Sequence, residues 1–336
     1  MRRALVTGAT GQVGSYIAER LLAEGYAVRA LVRDPPAADW LARLGVELTA
    51  GDIADTASLA RAAEGCDALV HAAAVVAAPG GWEHYRAINV DGTRAVVEAA
   101  AGAGARLVHI SSVAVYGSAE RYRATPTGED TPLARLPEHA VYARSKREAE
   151  SLVLAAHATG RVWACALRPD VIYGRRDRQF VPRVAHLLAR GVAPLVAGGR
   201  ARMAIVHASA VADAAARALR TDAAGGRAYN VANDFDVTVR DFLQLAAAGL
   251  GRRVRLLPIP LPLARAAVAG ARAGVALLRG PALASHVGSS LDFITRDNPF
   301  TSERARRELG WAPAMRPDDG IPEAFRWWTQ QRRPRR

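Results

Sequence analysis

The chain has 336 residues, half of them hydrophobic, which is enough for one large domain or for a domain with a smaller lobe. Its two cysteines, Cys66 and Cys165, exclude a disulfide framework, suggest no metal site and fit a reducing cytoplasm. The net charge of +13 comes from arginines spread along the whole chain, so we attribute it to compositional bias and expect no nucleic-acid partner.

Neither a signal peptide nor a transmembrane span is predicted. The apolar run that begins the chain stops at Thr7, where a glycine-rich turn follows. The least polar stretch, 259–278, is interrupted by Arg265 and Arg272, whereas a membrane-spanning helix needs about 20 nearly uncharged apolar residues. We expect the basic tail at 331–336 to be a disordered end.

The start of the chain predicts a strand, a glycine turn and a helix. A short apolar strand at 4–6 is followed by Gly8, Gly11 and Gly14, and an amphipathic helix is predicted at 13–23. Glycines in such a turn let backbone N–H groups approach a pyrophosphate at the helix N-terminus. Because the motif follows a strand and opens a helix, it predicts a dinucleotide site.

The end of the second strand, predicted at 26–32, should meet the adenosine ribose of the cofactor. NAD would favour an acidic residue there, but Val32 occupies the position and Arg33 follows it. A guanidinium suits a 2′-phosphate, so we expect NADP. The alternative is that Asp34 is the acid one position late, in which case the cofactor is NAD and Arg33 lies in a solvated loop.

The next two strands, predicted at 46–48 and 67–71, also end in cofactor positions. Asp52 is placed to accept a hydrogen bond from an adenine amino group, with Ile53 against the ring. The small residues 72–74, all alanine, let the nicotinamide half lie close to the backbone.

A long helix at 82–101 and a fifth strand at 106–110 continue the alternation of strands and helices. This alternation predicts an α/β fold with a doubly wound parallel sheet of the Rossmann type. Ser112 follows the fifth strand at the carboxyl edge of the sheet, where open α/β folds form their sites.

Tyr142 and Lys146 are four residues apart, which places them on one face of a predicted helix. A phenol has an unperturbed pKa of about 10, and a neighbouring cation brings that pKa toward neutral pH, where the phenol can act as an acid or base. The alternative is an exposed Tyr and Lys on a surface helix. The dinucleotide motif at the start of the chain favours the catalytic interpretation.

Taken together, the motifs resemble those of the extended short-chain dehydrogenase/reductases, and the resemblance covers nearly the whole chain. That family includes nucleotide-sugar epimerases and dehydratases, 3β-hydroxysteroid dehydrogenases and dihydroflavonol reductases. The resemblance rests on TGATGQVG at 7–14, GDI at 51–53, HAAA at 71–74, NVDGT at 89–93, SSVAVYG at 111–117, YARSK at 142–146, LRPDVIYG at 167–174 and ARRELGW at 305–311.

The resemblance implies a role for each matching residue. Tyr142 would be the general acid/base, Lys146 would bind the nicotinamide ribose and lower the pKa of Tyr142, and Ser112 would hydrogen-bond the reacting oxygen. Ser112 and not Ser111 fits the family's S-x-x-x-Y-G spacing. Asn89 would hold the active-site helix or a water. The implied cofactor-binding residues are Gly8, Thr10, Gly11, Gln12, Val13, Gly14, Arg33, Asp52, Ile53, Ala72, Ala73, Ala74, Tyr142, Lys146, Pro169, Val171 and Ile172.

Beyond residue 174 the pattern becomes irregular, as expected for a substrate lobe. We divide the chain into a cofactor core at 1–174, a mainly substrate-binding lobe at 175–330 and the tail. A strand predicted at 227–231 returns to the main sheet, so lobe and core interleave. The run HASAV at 207–211 lacks two acids that many family members have, which puts local packing in doubt but not the chemistry.

The lobe bears on the substrate class. Nucleotide-sugar enzymes need cations to hold a diphosphate, and only Arg202 suggests itself. The segment 256–260 and the apolar helix after it instead resemble the hydroxysteroid dehydrogenase and dihydroflavonol reductase branch, which takes apolar substrates. For that helix we favour ordinary core packing over a substrate or membrane role.

Three functions remain open. The first is an NADP-dependent dehydrogenase or reductase that acts on a secondary alcohol or ketone, and the second is a nucleotide-sugar epimerase or dehydratase. The third, a non-catalytic nucleotide sensor, ranks last because such sensors usually lack the Tyr-Lys pair. The resemblance further implies a small-molecule substrate and a homodimer formed by the helices at 83–102 and 137–158.

Overall fold

A seven-stranded parallel sheet lies at the centre of the computed structural model, which describes residues 2–76, 79–117, 126–232, 235–279 and 289–332. The strand order is β3-β2-β1-β4-β5-β6-β10, and every neighbouring pair is parallel. The predicted doubly wound Rossmann sheet is therefore confirmed. Its strands are β1 (Arg3–Thr7), β2 (Ala27–Val32), β3 (Glu47–Ala50), β4 (Ala68–His71), β5 (Arg106–Ile110), β6 (Ala164–Pro169) and β10 (Ala228–Val231).

Both faces of the sheet are covered, and β1 shows how the sequence achieves this. Ala4 and Val6 pack into one apolar cluster, while Leu5 between them packs into the other. Helices α1 (Gln12–Ala23) and α8 (Ala208–Arg220) cover the first face. The second face is covered by α3 (Thr56–Ala63), α5 (Gly92–Ala103) and α6 (Val141–Ala158).

The helix predicted at 82–101 is not uniform. A short α4 (Trp82–Tyr85) passes into a π-helical stretch, Arg86–Asp91, before α5 begins. Extra residues of this kind inside a helix are rare and often mark functional sites. Here the π-helical stretch contains Asn89, one of the predicted site residues.

The lobe has its own apolar core. Strand β10 pairs with β6, so the chain does return from the lobe to the main sheet. The lobe's helices α7 (Phe180–Leu188), α9 (Val239–Gly249) and α13 (Pro317–Gln331) share one cluster. Two small parallel sheets complete the lobe: β7 (Val171–Tyr173) with β9 (Ile205–His207), and β8 (Val192–Val196) with β11 (Arg255–Ile259).

The run at 207–211 packs well without the missing acids. The His207 imidazole Nδ1 accepts the backbone N–H of Ser209 at 3.3 Å and so caps α8 at its N-terminus. Most residues of α8 are buried against the sheet. The doubt about local packing is thus removed.

The apolar helix that follows the segment 256–260, α10 (Leu261–Arg279), contradicts our expectation of core packing. None of the residues 261–275 is buried. No helix among the described residues is long and apolar enough to cross a membrane. The remaining helices are α2 (Asp39–Ala42), α11 (Ser289–Thr295) and α12 (Glu303–Leu309), and most of the predicted basic tail, 333–336, lies outside the described residues.

Candidate active site

Helix α6 brings Tyr142 and Lys146 to the carboxyl edge of the sheet. Lys146 is buried and Tyr142 is half-buried one turn before it. Beyond the end of β5, the Ser112 hydroxyl accepts the backbone N–H of Ala114 at 3.1 Å and lies near enough to the Tyr142 phenol to lower its pKa. The two side chains that sequence reasoning assigned to proton transfer and oxygen binding are therefore neighbours at this edge of the sheet.

The pKa of Tyr142 differs from the sequence-based expectation. Burial raises it, the neighbouring Ser112 hydroxyl opposes that rise, and the nearby Tyr85 phenol adds to it. We expected Lys146 to lower this pKa, and for this structure that expectation is wrong. The reason is that burial of the phenol dominates.

The Lys146 ammonium is turned toward the end of β5. It donates to the Ile110 carbonyl at 2.6 Å and lies 3.2 Å from the Nε2 atom of His109. Burial lowers the pKa of Lys146 to about 7, although the Glu150 carboxylate one turn further along α6 opposes this change. Because Nε2 of His109 faces a donor, the neutral ring carries its proton on Nδ1.

A chain of buried hydrogen bonds runs behind these groups. His71 lies 2.7 Å from the Thr7 hydroxyl through Nδ1 and 3.0 Å from the Thr93 hydroxyl through Nε2. The Thr93 hydroxyl donates to the Asn89 carbonyl at 2.6 Å, so it accepts from His71 Nε2–H, and Thr7 donates to Nδ1. Burial lowers the pKa of His71 to about 3, and the Lys146 charge acts in the same direction.

Sequence reasoning missed both histidines. His71 and His109 are register partners on the adjacent strands β4 and β5, and their ring centroids are 5.3 Å apart. Burial lowers the pKa of His109 well below its ordinary value. Polar residues near the ends of two neighbouring buried strands were a signal that could have found this pair.

Asn89 connects two parts of the site. Its side-chain oxygen accepts the Val75 N–H at 2.7 Å, and its amide donates to the Val75 carbonyl at 3.1 Å and to the Ser145 hydroxyl at 2.9 Å. Ser145 lies between Tyr142 and Lys146 on α6. Asn89 therefore holds the segment after β4 against the helix that carries the candidate catalytic pair.

In the glycine turn, Gly8 and Gly14 lie against neighbouring backbone, whereas Gly11 has space beside it. A Cβ on Gly8 would lie 2.6 Å from the Ala73 backbone nitrogen, and one on Gly14 would lie 2.2 Å from the Gly8 carbonyl oxygen. A Cβ on Gly11 would meet only the Gly8 carbonyl oxygen, at 3.2 Å. The side-chain amide nitrogen Nε2 of Gln12 is shielded and has no hydrogen-bond partner among the described residues. A turn with these features fits a pyrophosphate.

The residues at the ribose position favour neither cofactor decisively. The Arg33 side chain is 85 % exposed, and its nearest carboxylate is that of Asp52 at 4.0 Å. Asp34 accepts the backbone N–H of Ala37 at 3.2 Å, so its carboxylate is turned into its own loop. Val32 is buried at the end of β2. The exposed guanidinium of Arg33, with only a distant carboxylate beside it, is the more available of the two charged groups.

The other predicted cofactor residues gather near the same edge. Ile53 packs against Gly92, where a Cβ would lie 2.8 Å from the isoleucine Cδ1. Asp52 accepts the backbone N–H of Ala54 at 2.9 Å. Thr10 and Val13 are half-buried in the glycine turn, Ala72, Ala73 and Ala74 follow β4, Pro169 ends β6, and Val171 and Ile172 lie in β7.

On the lobe side, Arg202 is already engaged. It lies 3.3 Å from a carboxylate oxygen of Asp236 and 3.7 Å from one of Asp297. Arg202 is thus not poised as a free cation for a diphosphate.

Sequence reasoning also missed a contact that ties the lobe to the core: the amide of Asn298 donates to Asp170 at 3.1 Å.

Comparison with known proteins places these features in a family. The sequence model of the NAD dependent epimerase/dehydratase family matches residues 4–232. A 4-hydroxy-2-methyl-3-oxo-4-farnesyl-3,4-dihydroquinoline-1-oxide ketoreductase from Stigmatella aurantiaca is 32 % identical over 95 % of this chain and 94 % of its own. The ceramide reductase of Caulobacter vibrioides is 30 % identical over 95 % and 89 %. A 3 beta-hydroxysteroid dehydrogenase/Delta 5-->4-isomerase of Mycobacterium tuberculosis is 27 % identical over 97 % and 90 %.

Solved structures agree on the fold. The crystal structure of gox2253 superposes with a TM-score of 0.77 at 26 % identity, over 99 % of both chains. A UDP-glucuronic acid 4-epimerase from Bacillus cereus, in complex with NAD, superposes with a TM-score of 0.76 over 98 % of this chain and all of its own. At 18 % identity, the second likeness establishes the shared fold alone.

Proposed function

This chain belongs to the NAD-dependent epimerase/dehydratase family, and from that premise we propose that it reduces a ketone, or oxidises the matching secondary alcohol, on a molecule with a large apolar part. The observation that carries the proposal is that α6 places the Tyr142 phenol beside the Ser112 hydroxyl, which lies just beyond the end of β5. This pair lies at the same sheet edge as the glycine turn.

The cofactor is a nicotinamide dinucleotide, which supplies or accepts the hydride when bound. Gly8, Gly11, Gln12 and their neighbours in the turn would hold its pyrophosphate. Ala72–Ala74 with Pro169, Val171 and Ile172 would line its nicotinamide half, and Asp52 and Ile53 its adenine. We propose a modest preference for NADP because Arg33 is exposed and Asp34 is occupied by its own loop.

Proton transfer falls to Tyr142. Because its pKa is raised, the phenol is protonated at neutral pH and can donate its proton to the oxygen that forms from a carbonyl. The Ala114 N–H occupies one acceptor site of the Ser112 hydroxyl, whose own proton is available for the same oxygen. Below pH 7 the Lys146 ammonium adds positive charge nearby. This arrangement favours reduction at neutral pH, whereas oxidation of the alcohol requires the phenolate and rises with pH.

An apolar substrate is favoured by the lobe. Arg202, the lobe cation that the sequence suggested for a diphosphate, is already paired with two carboxylates. Two of the relatives that are at least 30 % identical are named as a 4-hydroxy-2-methyl-3-oxo-4-farnesyl-3,4-dihydroquinoline-1-oxide ketoreductase and as a ceramide reductase. We therefore propose a ketone that carries a long alkyl, acyl or prenyl chain.

The test separates net redox chemistry from epimerisation or dehydration. The purified chain is incubated with NADPH or NADH and a panel of long-chain ketones, steroid ketones and nucleotide sugars. We expect the reduced-nicotinamide absorbance to fall in proportion to the ketone consumed. Conversion of nucleotide sugars without a net absorbance change, together with inactivity toward all the ketones, would overturn the proposal.

Two organisational features belong to the same proposal. Residues 1–174 would hold the cofactor, and residues 175–330 would mainly hold the substrate. We also propose a homodimer in which α5 and α6 of each copy pair, as the family resemblance implies. Sedimentation velocity would test this: a monomer at micromolar concentration contradicts it.

A further inference from the structure

Most residues of α10 between 261 and 275 are exposed, although the helix is built almost wholly from apolar residues. Apart from three arginines, every residue from Leu261 to Arg279 is Leu, Ala, Val, Gly or Pro. The side chain of Leu263 is 63 % exposed, and that of Leu257, on the strand just before the helix, is 41 % exposed. An exposed apolar surface of this kind marks an interaction site.

The exposed helix has two chemically different faces. Arg265 and Arg272 are seven residues apart, close to two helical turns, so they lie on one side of the helix. The opposite side carries apolar and small residues: Leu263, Ala267 and Gly270. A helix with arginines on one face and leucine on the other has the pattern of helices that lie in a membrane surface.

The segment of the chain that contains α10 carries charge of a single sign. Between Asp241 and Asp292 the chain contains no acidic residue and six arginines, at 252, 253, 255, 265, 272 and 279. Arg252, Arg253 and Arg255 are exposed in the structure. Two copies of such a surface repel one another, whereas an anionic surface attracts it. The charge therefore favours a negatively charged lipid bilayer over a second copy of this chain.

We propose that α10 docks this chain on an anionic lipid bilayer. The side with Leu263 lies at the boundary between headgroups and acyl chains, and the arginines contact the headgroups. The helix lies in the plane of the surface and does not cross the bilayer. This inference is independent of the reaction that the enzyme catalyses.

The test is flotation of the full chain with phosphatidylcholine vesicles that contain either no anionic lipid or about a third phosphatidylglycerol. We expect wild type to float only with the anionic vesicles and to dissociate as salt is added. At ~1 kcal/mol for each arginine near the surface, the double variant Arg265→Gln/Arg272→Gln should bind about 25-fold more weakly. Leu263→Asp should also weaken binding, and Ala267→Glu on the same side repeats the test.

Matched controls make the outcome specific. Leu44→Asp changes another leucine that is 44 % exposed, and Arg61→Gln/Arg135→Gln removes two exposed arginines elsewhere; both should float like wild type. Thermal unfolding and cofactor binding show that each variant is folded. Absence of flotation at low salt, or equal losses in the controls, overturns the proposal. If Leu263→Asp instead separates a dimer into monomers, a second copy covers the helix and the proposal is also wrong.

Discussion

The polar side chains around Tyr142 in the core and Arg202 in the lobe lie in different surroundings. In the core, Lys146, His109 and Asn89 are buried, and each is hydrogen-bonded to a neighbouring element. In the lobe, Arg202 lies half-exposed at the surface in ion pairs. The difference indicates that the candidate catalytic groups are held at fixed distances by buried bonds, whereas Arg202 is held by weak surface contacts.

The largest effects should come from the glycine turn, where backbone packs on backbone. Gly14→Ala should prevent folding of the core, because its Cβ would lie 2.2 Å from the Gly8 carbonyl oxygen. Gly11→Val should leave a folded chain that no longer binds dinucleotide, because its side chain extends into the space for the pyrophosphate. Circular dichroism and calorimetry distinguish the two outcomes. Wild-type cofactor affinity in folded Gly11→Val would contradict the proposed phosphate site.

Tyr142→Phe tests the buried chemistry of the core directly. It should lower kcat by about 100- to 10,000-fold, the usual range for loss of a general acid or base, while cofactor affinity stays near wild type. Tyr26→Phe, at a buried tyrosine that precedes β2, is the matched control and should keep its turnover. If Tyr142→Phe turned over like wild type, another group would have to supply the proton.

Features that depend on local sequence patterns were predicted, whereas features that depend on contacts between separate elements were not. Strand β5 was predicted with its observed bounds because its apolar run is short and ends in a turn. The proximity of Ser112 and Tyr142 was anticipated from motif spacing and the resemblance. The His71–His109 pair and the direction of Lys146 were not, because they depend on which residues meet across adjacent strands. The exposure of α10 was missed because periodicity cannot tell a buried apolar face from an exposed one.

The pKa of Lys146 predicts a pH-dependent stability. It is about 7 in the folded chain, below the ordinary lysine value, so between pH 7 and pH 10 the unfolded chain binds the extra proton. The buried charge therefore costs most below pH 7, and stability rises with pH. Lys146→Met removes this cost, so its unfolding free energy relative to wild type should fall by a few kcal/mol from pH 6 to pH 10, at ~1.4 kcal/mol per pKa unit. Urea unfolding across pH measures it, and a pH-independent difference would show that the lysine is not buried as a charge.

Arg33 differs from the buried polar residues of the core because its side chain is exposed. A charge-assisted contact to a 2′-phosphate contributes ~1.5–3 kcal/mol before desolvation. Arg33→Ala should therefore weaken NADP about tenfold and leave NAD nearly unchanged, and the effect should shrink as salt rises. Equal or tighter binding of NAD by wild type would make Asp34 the ribose ligand.

The smallest effect on stability is expected at Arg202, and the KM values of this variant distinguish an apolar substrate from a nucleotide sugar. Exposed ion pairs contribute ~0–1 kcal/mol, so removing this arginine should hardly change stability. If the substrate is apolar, Arg202→Ala should also change KM for a long-chain ketone by less than about twofold, since the guanidinium is held by Asp236 and Asp297. A nucleotide sugar would instead need that cation for its diphosphate, and its KM should rise about tenfold or more. A large rise in KM at Arg202 together with none at Arg33 would mean that the lobe, and not the core, recognises phosphate.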